Sequence, residues 1–374
     1  MRHRMSETTP TLTLLLAFLV TSLASCDSAT ERPTTELGDP LPGLTGAELA
    51  RFETGKAFFT RVWTAEEGLG PVYNENSCNA CHSEPVPGGG GEETDEKVTV
   101  HRADGSCDLL LERGGANVRQ QATHLAASHG VVPEEGPDAG ARGYFTPALL
   151  YGRGLMEAIP EETILALADP DDADGDGISG RVGRDADGRL GRFLRKSSVA
   201  SLEDAAAGSL VVELGLTTPW SAEEMVFLAG NAARVPSDAD PAEDPEVGEE
   251  VVEAIAEFIR FLAPPPPNFP EDRTELGRVV AGQQLFSQVG CDDCHTPVLF
   301  TGPHEVEALR EKPVALYSDL LLHDMGPELA DICAPGAEPA ELRTEILMGL
   351  SIRTRFMHDG KSPTLWDAIE RHGG

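Results

Sequence analysis

Helical spacing of apolar positions begins near residue 46. Thr45-Gly46-Ala47-Glu48 has the spacing of a capping box, and Leu49, Phe52 and Phe59 follow at roughly helical intervals. Gly68-Leu69-Gly70-Pro71 breaks that helix. A second helix is predicted from Glu249 to Leu262, with Val252, Ile255, Ile259 and Leu262 on one face. The run Ala263-Pro264-Pro265-Pro266-Pro267 cannot continue it and makes a stiff connector. Asp272-Arg273-Thr274-Glu275 then opens a third amphipathic helix. Few stretches alternate polar and apolar residues over the length of a strand. The pattern predicts a mainly α chain with long loops.

The first and third helices share a segment. Gly55-x-x-Phe58-Phe59-Thr60-x-Val62 recurs as Gly282-x-x-Leu285-Phe286-Ser287-x-Val289. Each copy is followed by the same pentapeptide type, Cys78-Asn79-Ala80-Cys81-His82 and Cys291-Asp292-Asp293-Cys294-His295. C-x-x-C-H reads as c-type haem attachment: two thioethers from the cysteines and an axial ligand from the histidine. C-x-x-C pairs also bind zinc, but zinc does not require a histidine directly after each pair. The repeat predicts two cytochrome c-like haem domains and two covalently bound haem c groups. Residues 46–262 form the first domain, with an insert; 263–273 are a Pro-rich linker; 274–374 form the second.

The N-terminus reads as an export signal. Met1-Arg2-His3-Arg4 precedes a short apolar run and Leu23-Ala24-Ser25-Cys26. That last stretch resembles a bacterial lipobox, which implies cleavage after residue 25 and acylation of Cys26. Residues 1–25 are then a lipoprotein-type signal peptide. Residues 26–45, rich in Pro, Thr, Gly and Glu, are a flexible tether. The expected location is the periplasmic side of a membrane, held by a lipid anchor. Four cysteines go to haem and one to lipid. Cys107 and Cys333 are left over and are either a disulfide or buried apolar residues.

The chain has 29 Lys and Arg against 63 Asp and Glu, a formal net charge of −34. Such a surface excludes nucleic acid as a partner and suits a basic redox protein, for instance a small basic cytochrome. Within the insert, Asp172, Asp174 and Asp176 alternate ahead of Ile178, whose carbonyl completes the first half of a calcium loop. Gly183 stands where an EF-hand needs its bidentate Glu. An Asp/Gly-rich surface turn is the other reading of this stretch.

Several stretches together resemble the di-haem oxidoreductases of peroxidase type, and more distantly the bacterial di-haem cytochrome c peroxidases. They are Gly68-Leu69-Gly70-Pro71 to His82, Gly154-Leu155-Met156-Glu157-Ala158-Ile159-Pro160 and Asp176-Gly177-Ile178-Ser179-Gly180-Arg181. Further on come Tyr317 to Gly326, Met357-His358-Asp359-Gly360 and Ala368-Ile369-x-x-His372-Gly373-Gly374. The resemblance implies reduction of a small oxidant such as hydrogen peroxide at one haem, with electron entry at the other. It implies a sixth ligand for the second haem near His372, with Met357 and Met325 as the other candidates. Glu157 is the candidate proton carrier, and a surface Glu capping a helix is the other reading of it. His323 and His358 are expected in the haem surround, and His101 is the nearest histidine downstream of His82. Trp63, Trp220 and Trp366 are candidates for an electron relay or for the core. The rivals are a pure electron-transfer cytochrome with both irons six-coordinate, and a haem protein that only senses redox state.

Overall fold

In the computed structural model, the described residues are 35–111, 116–133, 140–222, 225–228, 231–236 and 238–373. The predicted signal segment, Cys26 and tether residues 27–34 lie outside them. Among the described residues, no helix is long and apolar enough to cross a membrane.

The helices that position the motifs are α1 (Gly46–Phe59), α2 (Cys78–Cys81), α3 (Arg153–Glu157), α4 (Leu202–Leu214), α5 (Glu249–Phe261), α6 (Arg273–Gln288) and α7 (Leu365–Glu370). At the start of α1, the Thr45 hydroxyl accepts the Glu48 N–H, and the Glu48 carboxylate accepts the Thr45 N–H. Asp272 caps α6 by accepting from the N–H groups of Thr274 and Glu275. α1 crosses α5 closely. The Phe258 ring centroid lies 5.2 Å from Phe52 and 4.8 Å from Phe59. The crossing requires Gly55, because a Cβ there would fall 1.9 Å from the Ala254 carbonyl oxygen. Fully burying each of these phenylalanines contributes roughly 2–3 kcal/mol.

α6 carries the second copy of the α1 segment but none of its residues is buried. A Cβ at Gly282 would meet nothing within 4 Å, and Val279, Val280 and Leu285 are exposed.

The main apolar core draws Leu210 and Leu214 from α4 and Val252, Ile255 and Ile259 from α5. Leu309, Val314, Leu316, Leu321 and Ile346, beyond the proline connector, belong to the same core. A small antiparallel sheet flanks it. Strand β1 (Asp95–His101) pairs along one side with β2 (Cys107–Asp108) and β3 (Asn117–Val118), and along the other with β4 (Ala141–Phe145), Asp95 facing Phe145. A separate hairpin joins β5 (Leu322–Asp324) to β6 (Glu341–Arg343). Cys107 on β2 forms a disulfide with Cys333, with Cα atoms 5.7 Å apart.

These strands correct the expectation of a mainly α chain built from two cytochrome c-like domains. Helix accounts for only 30 % and strand for 16 %, and no cytochrome c fold is recognisable among the described residues. Many of the strands are two or three residues long and pair across long sequence separations. A period of two has no room to show itself in so short a run.

Candidate functional site

Each pentapeptide is presented in a similar way. At the first, the Ser77 hydroxyl accepts the Asn79 N–H at 3.2 Å and starts α2. One turn of helix brings Cys78 and Cys81 together, and the chain leaves the helix at His82. Both thiols are unpaired. Burial pushes the Cys78 thiol up to about 12 and raises that of Cys81 as well, so both stay protonated. His82 Nδ1 lies 3.0 Å from the Gly89 carbonyl oxygen. A carbonyl only accepts, so Nδ1 carries the hydrogen and Nε2 keeps a lone pair for a metal. Burial lowers the His82 pKa and favours the neutral, ligating form. The Phe59 ring packs 6.2 Å from the His82 ring. Asn79 Oδ1 and Trp63 Nε1 are buried without a partner beside this motif, while the Trp63 backbone N–H donates to the Asn76 carbonyl at 2.8 Å.

At the second, Gly290 takes φ +79° and turns the chain from α6 into a single 3-10 turn over Cys291–Asp293. Cys291 and Cys294 are unpaired. His295 Nδ1 donates to the Tyr317 carbonyl at 2.9 Å, again freeing Nε2. Tyr317 has φ +52°, a left-handed value that costs a non-glycine residue roughly 1 kcal/mol or more. Phe286 lies 6.3 Å from His295, repeating the Phe59–His82 contact. The duplicated segment thus places the same ring beside both histidines.

His372 stands close by, its ring centroid 6.5 Å from that of His295. Its Nδ1 donates to the Ala368 carbonyl at 2.7 Å and leaves Nε2 free. Met325 and Met357 are half-buried, and Met357 takes φ +66°. Leu365, Trp366 and Ile369, on the helix leading to His372, are exposed. Two thiols, an imidazole with a committed Nδ1, orphaned polar atoms and open apolar side chains fit a flat, largely apolar, metal-bearing group.

Residues 137–374 match the family described as "Di-haem oxidoreductase, putative peroxidase". The chain belongs to the di-haem oxidoreductases. Haem is therefore its cofactor. The matched span holds the second motif, Glu157, the acidic loop and His372, while the first motif lies upstream of it. No curated protein matches the chain.

In this di-haem oxidoreductase, His323 is buried against the second motif. Its Nε2 lies 2.8 Å from Asp319 and its Nδ1 3.7 Å from the Cys294 sulfur. Burial opposes its charge, but the Asp319 and Cys294 contacts outweigh burial and raise its pKa to about 10. His358 joins a different buried network: its Nε2 is 3.1 Å from Asp331, which is itself 3.1 Å from Lys196. His101 pairs with Glu338 at 2.7 Å at the end of β1. Trp63 is buried with Arg61 stacked 3.9 Å from its ring, whereas Trp220 and Trp366 are exposed.

Glu157 has both oxygens engaged. One accepts Arg260 Nε at 2.7 Å and the other accepts the Leu202 N–H at 2.8 Å, at the start of α4. The carboxylate ties α3 to α4 and α5.

Asp172, Asp174 and Asp176 converge, one oxygen of each lying within 4.8 Å of the others. The same side chains accept local N–H groups, from Gly177, Asp176 and Ile178 respectively. Burial, Asp292, Asp176 and Asp174 together raise the Asp293 carboxyl of the second motif. The residues that composition and motif did not point to are backbone groups, the Gly89 and Tyr317 carbonyls. Only the finished fold brings these to the histidines.

Proposed function

We propose that this di-haem oxidoreductase is an exported c-type cytochrome that reduces a small oxidant such as hydrogen peroxide. Cys78 and Cys81 hold one haem through thioethers and Cys291 and Cys294 the other, with His82 and His295 as axial ligands. The observation that carries the reading is the matched state of the two motifs. Each has unpaired thiols and a histidine whose Nδ1 is committed to a carbonyl, while Cys107 and Cys333 are joined. Oxidised Cys107 and Cys333 also favour export, since such bonds persist outside the cytoplasm.

When bound, the haems supply one-electron chemistry that two centres can combine for a two-electron reduction. We assign electron entry to the second centre and reduction of the oxidant to the first. The support is asymmetry. His372 stands next to His295 and can close that centre, whereas His101 is engaged by Glu338. Glu157 can carry a proton only after leaving Arg260. The acidic surface draws a basic electron donor, and acylated Cys26 holds the domain at a membrane.

Intact mass of the matured protein tests this directly. It should show two haems and a lipid on Cys26, and the reduced protein should bind carbon monoxide at one centre. One haem or none sinks the reading. Two haems with no carbon monoxide bound at either leaves a pure electron carrier.

The acidic loop belongs to the same reading as a calcium site, since three carboxylates converge there and accept backbone N–H groups of their own loop. Millimolar calcium should raise the melting temperature and a chelator should lower it. A transition that ignores both makes the loop a plain turn.

A further inference from the structure

Four arginines surround one glutamate where the two halves of the chain meet. Arg353 Nη2 lies 2.8 Å from Glu345, Arg343 Nη2 3.2 Å and Arg153 Nη2 3.9 Å, and Arg195 completes the set. Arg153 and Arg343 are almost fully buried, and Arg353 keeps only 10 % of its side chain exposed. Four guanidinium groups stand against the single Glu345 carboxylate, and Asp319 nearby is bound to His323 at 2.8 Å. Burying charge without a counter-ion is costly. The usual donors are also incompletely used. Arg153 Nη2 and Arg353 Nε are buried with no hydrogen-bond partner. Burial depresses the pKa of Arg153 to about 9 and lowers those of Arg343 and Arg353, even with Glu345 in place.

A cavity of about 460 Å³ opens beside this cluster and meets it at Arg353. Its wall includes Arg353, Arg355, Thr146, Leu149, Gly90 and Glu84. Gly90 follows Gly89, whose carbonyl fixes His82, and Leu149 lines the same wall. Arg353 therefore carries the cluster to the wall of the space beside the first motif. Haem carries two propionate carboxylates, and planar guanidinium groups recognise carboxylates in forked pairs.

We propose that Arg353, where this cluster reaches the cavity wall, binds a propionate carboxylate of the first haem, with Arg153 buried behind it. The inference rests on the reading that His82 is an axial ligand. It makes the cluster a junction: Arg153 and Arg195 come from the first half, Arg343 and Arg353 from the second, and one anion holds them together. A free oxyanion entering the cavity would satisfy the same charges, so the test separates the two sources.

The test uses the matured protein, with each haem's midpoint potential followed by spectroelectrochemistry. Arg353→Gln should lower the potential of the first haem, because removing a nearby cation disfavours the electron-rich state, and should move the second less. Arg353→Lys should restore most of the shift. Inorganic phosphate and formate should shift neither potential in wild type. An unmoved first potential overturns the assignment, as does a saturable shift with phosphate or formate, which marks a site for free anions. If Arg353→Gln fails to fold, wild type decides through infrared spectra with carbon-13 in the propionate carboxylates. A propionate paired with arginine stays ionised well below the ordinary carboxylate range, and one that protonates at about pH 4–5 overturns the proposal. Fewer than two haems by mass overturns the haem reading as well, whereas two haems with unmoved potentials overturns only the propionate assignment.

Discussion

Asp359 and Arg371 form a forked pair, 3.3 Å and 3.1 Å between their atoms, and Arg371 also donates to the Ser362 hydroxyl at 3.0 Å. Arg371 is the residue directly before His372, so the pair anchors the candidate sixth ligand to the Met357–Gly360 turn. Burial alone would raise the Asp359 carboxyl, but Arg371 and the Lys361 N–H hold it at about 2. A carboxyl depressed in the folded state adds stability that is full above its ordinary value near 3.8 and is lost as pH falls toward 2. The low-spin signal of the second haem should therefore persist down to about pH 3 and fail below it. Asp359→Asn should show a high-spin fraction at neutral pH already, as His372→Gly should, by electron paramagnetic resonance. A fully low-spin Asp359→Asn protein would show that His372 does not depend on this pair. At this scale the sequence was informative wherever chemistry sits in one side chain. Two C-x-x-C-H motifs announce themselves. The carbonyls of Gly89 and Tyr317 cannot, because every residue has one. Nor could Glu345, whose partners Arg153 and Arg195 lie far away along the chain.

α1 and α6 carry one segment in two settings. In α1, Gly55 admits the Ala254 carbonyl and lets Phe52 and Phe59 bury against α5. In α6, Gly282 meets nothing and the apolar residues stay open. What survives in both copies is Phe59 against His82 and Phe286 against His295. The duplication is thus kept where it touches the site and lost in the packing around it. Helix starts were legible because caps are local: the capping box at Thr45 and the cap at Asp272 form as the spacing suggests. α5 runs over Glu249–Phe261, close to the span its apolar stripe predicts. The sheet was illegible for the opposite reason. Its register depends on partners distant in sequence, as with Val98 opposite Arg142, and its longest strand, Asp95–His101, does not alternate buried and exposed positions. That is why a helical pattern was over-read into a mainly α chain.

Across the whole molecule, residues before and after the proline connector share one core, and the Cys107–Cys333 disulfide joins them covalently. The bond lies 226 residues apart in sequence and is packed against Thr99, whose hydroxyl binds the Cys333 N–H at 3.0 Å. Replacing both cysteines with alanine should cost about 2–4 kcal/mol in chemical denaturation, with both haem spectra retained. A loss near zero would show that packing alone holds the halves together.

The same bond turns the stretch from 107 to 333 into a covalent ring. The proline connector and the second haem motif are inside that ring, and the first motif is on the tail that enters it. A protease that cuts the ring once opens it but does not divide the molecule. Both redox centres remain on one covalent body, and a nicked protein runs as a single species until it is reduced. A cut between the first motif and Cys107 is different in kind, because it releases the first motif from the ring.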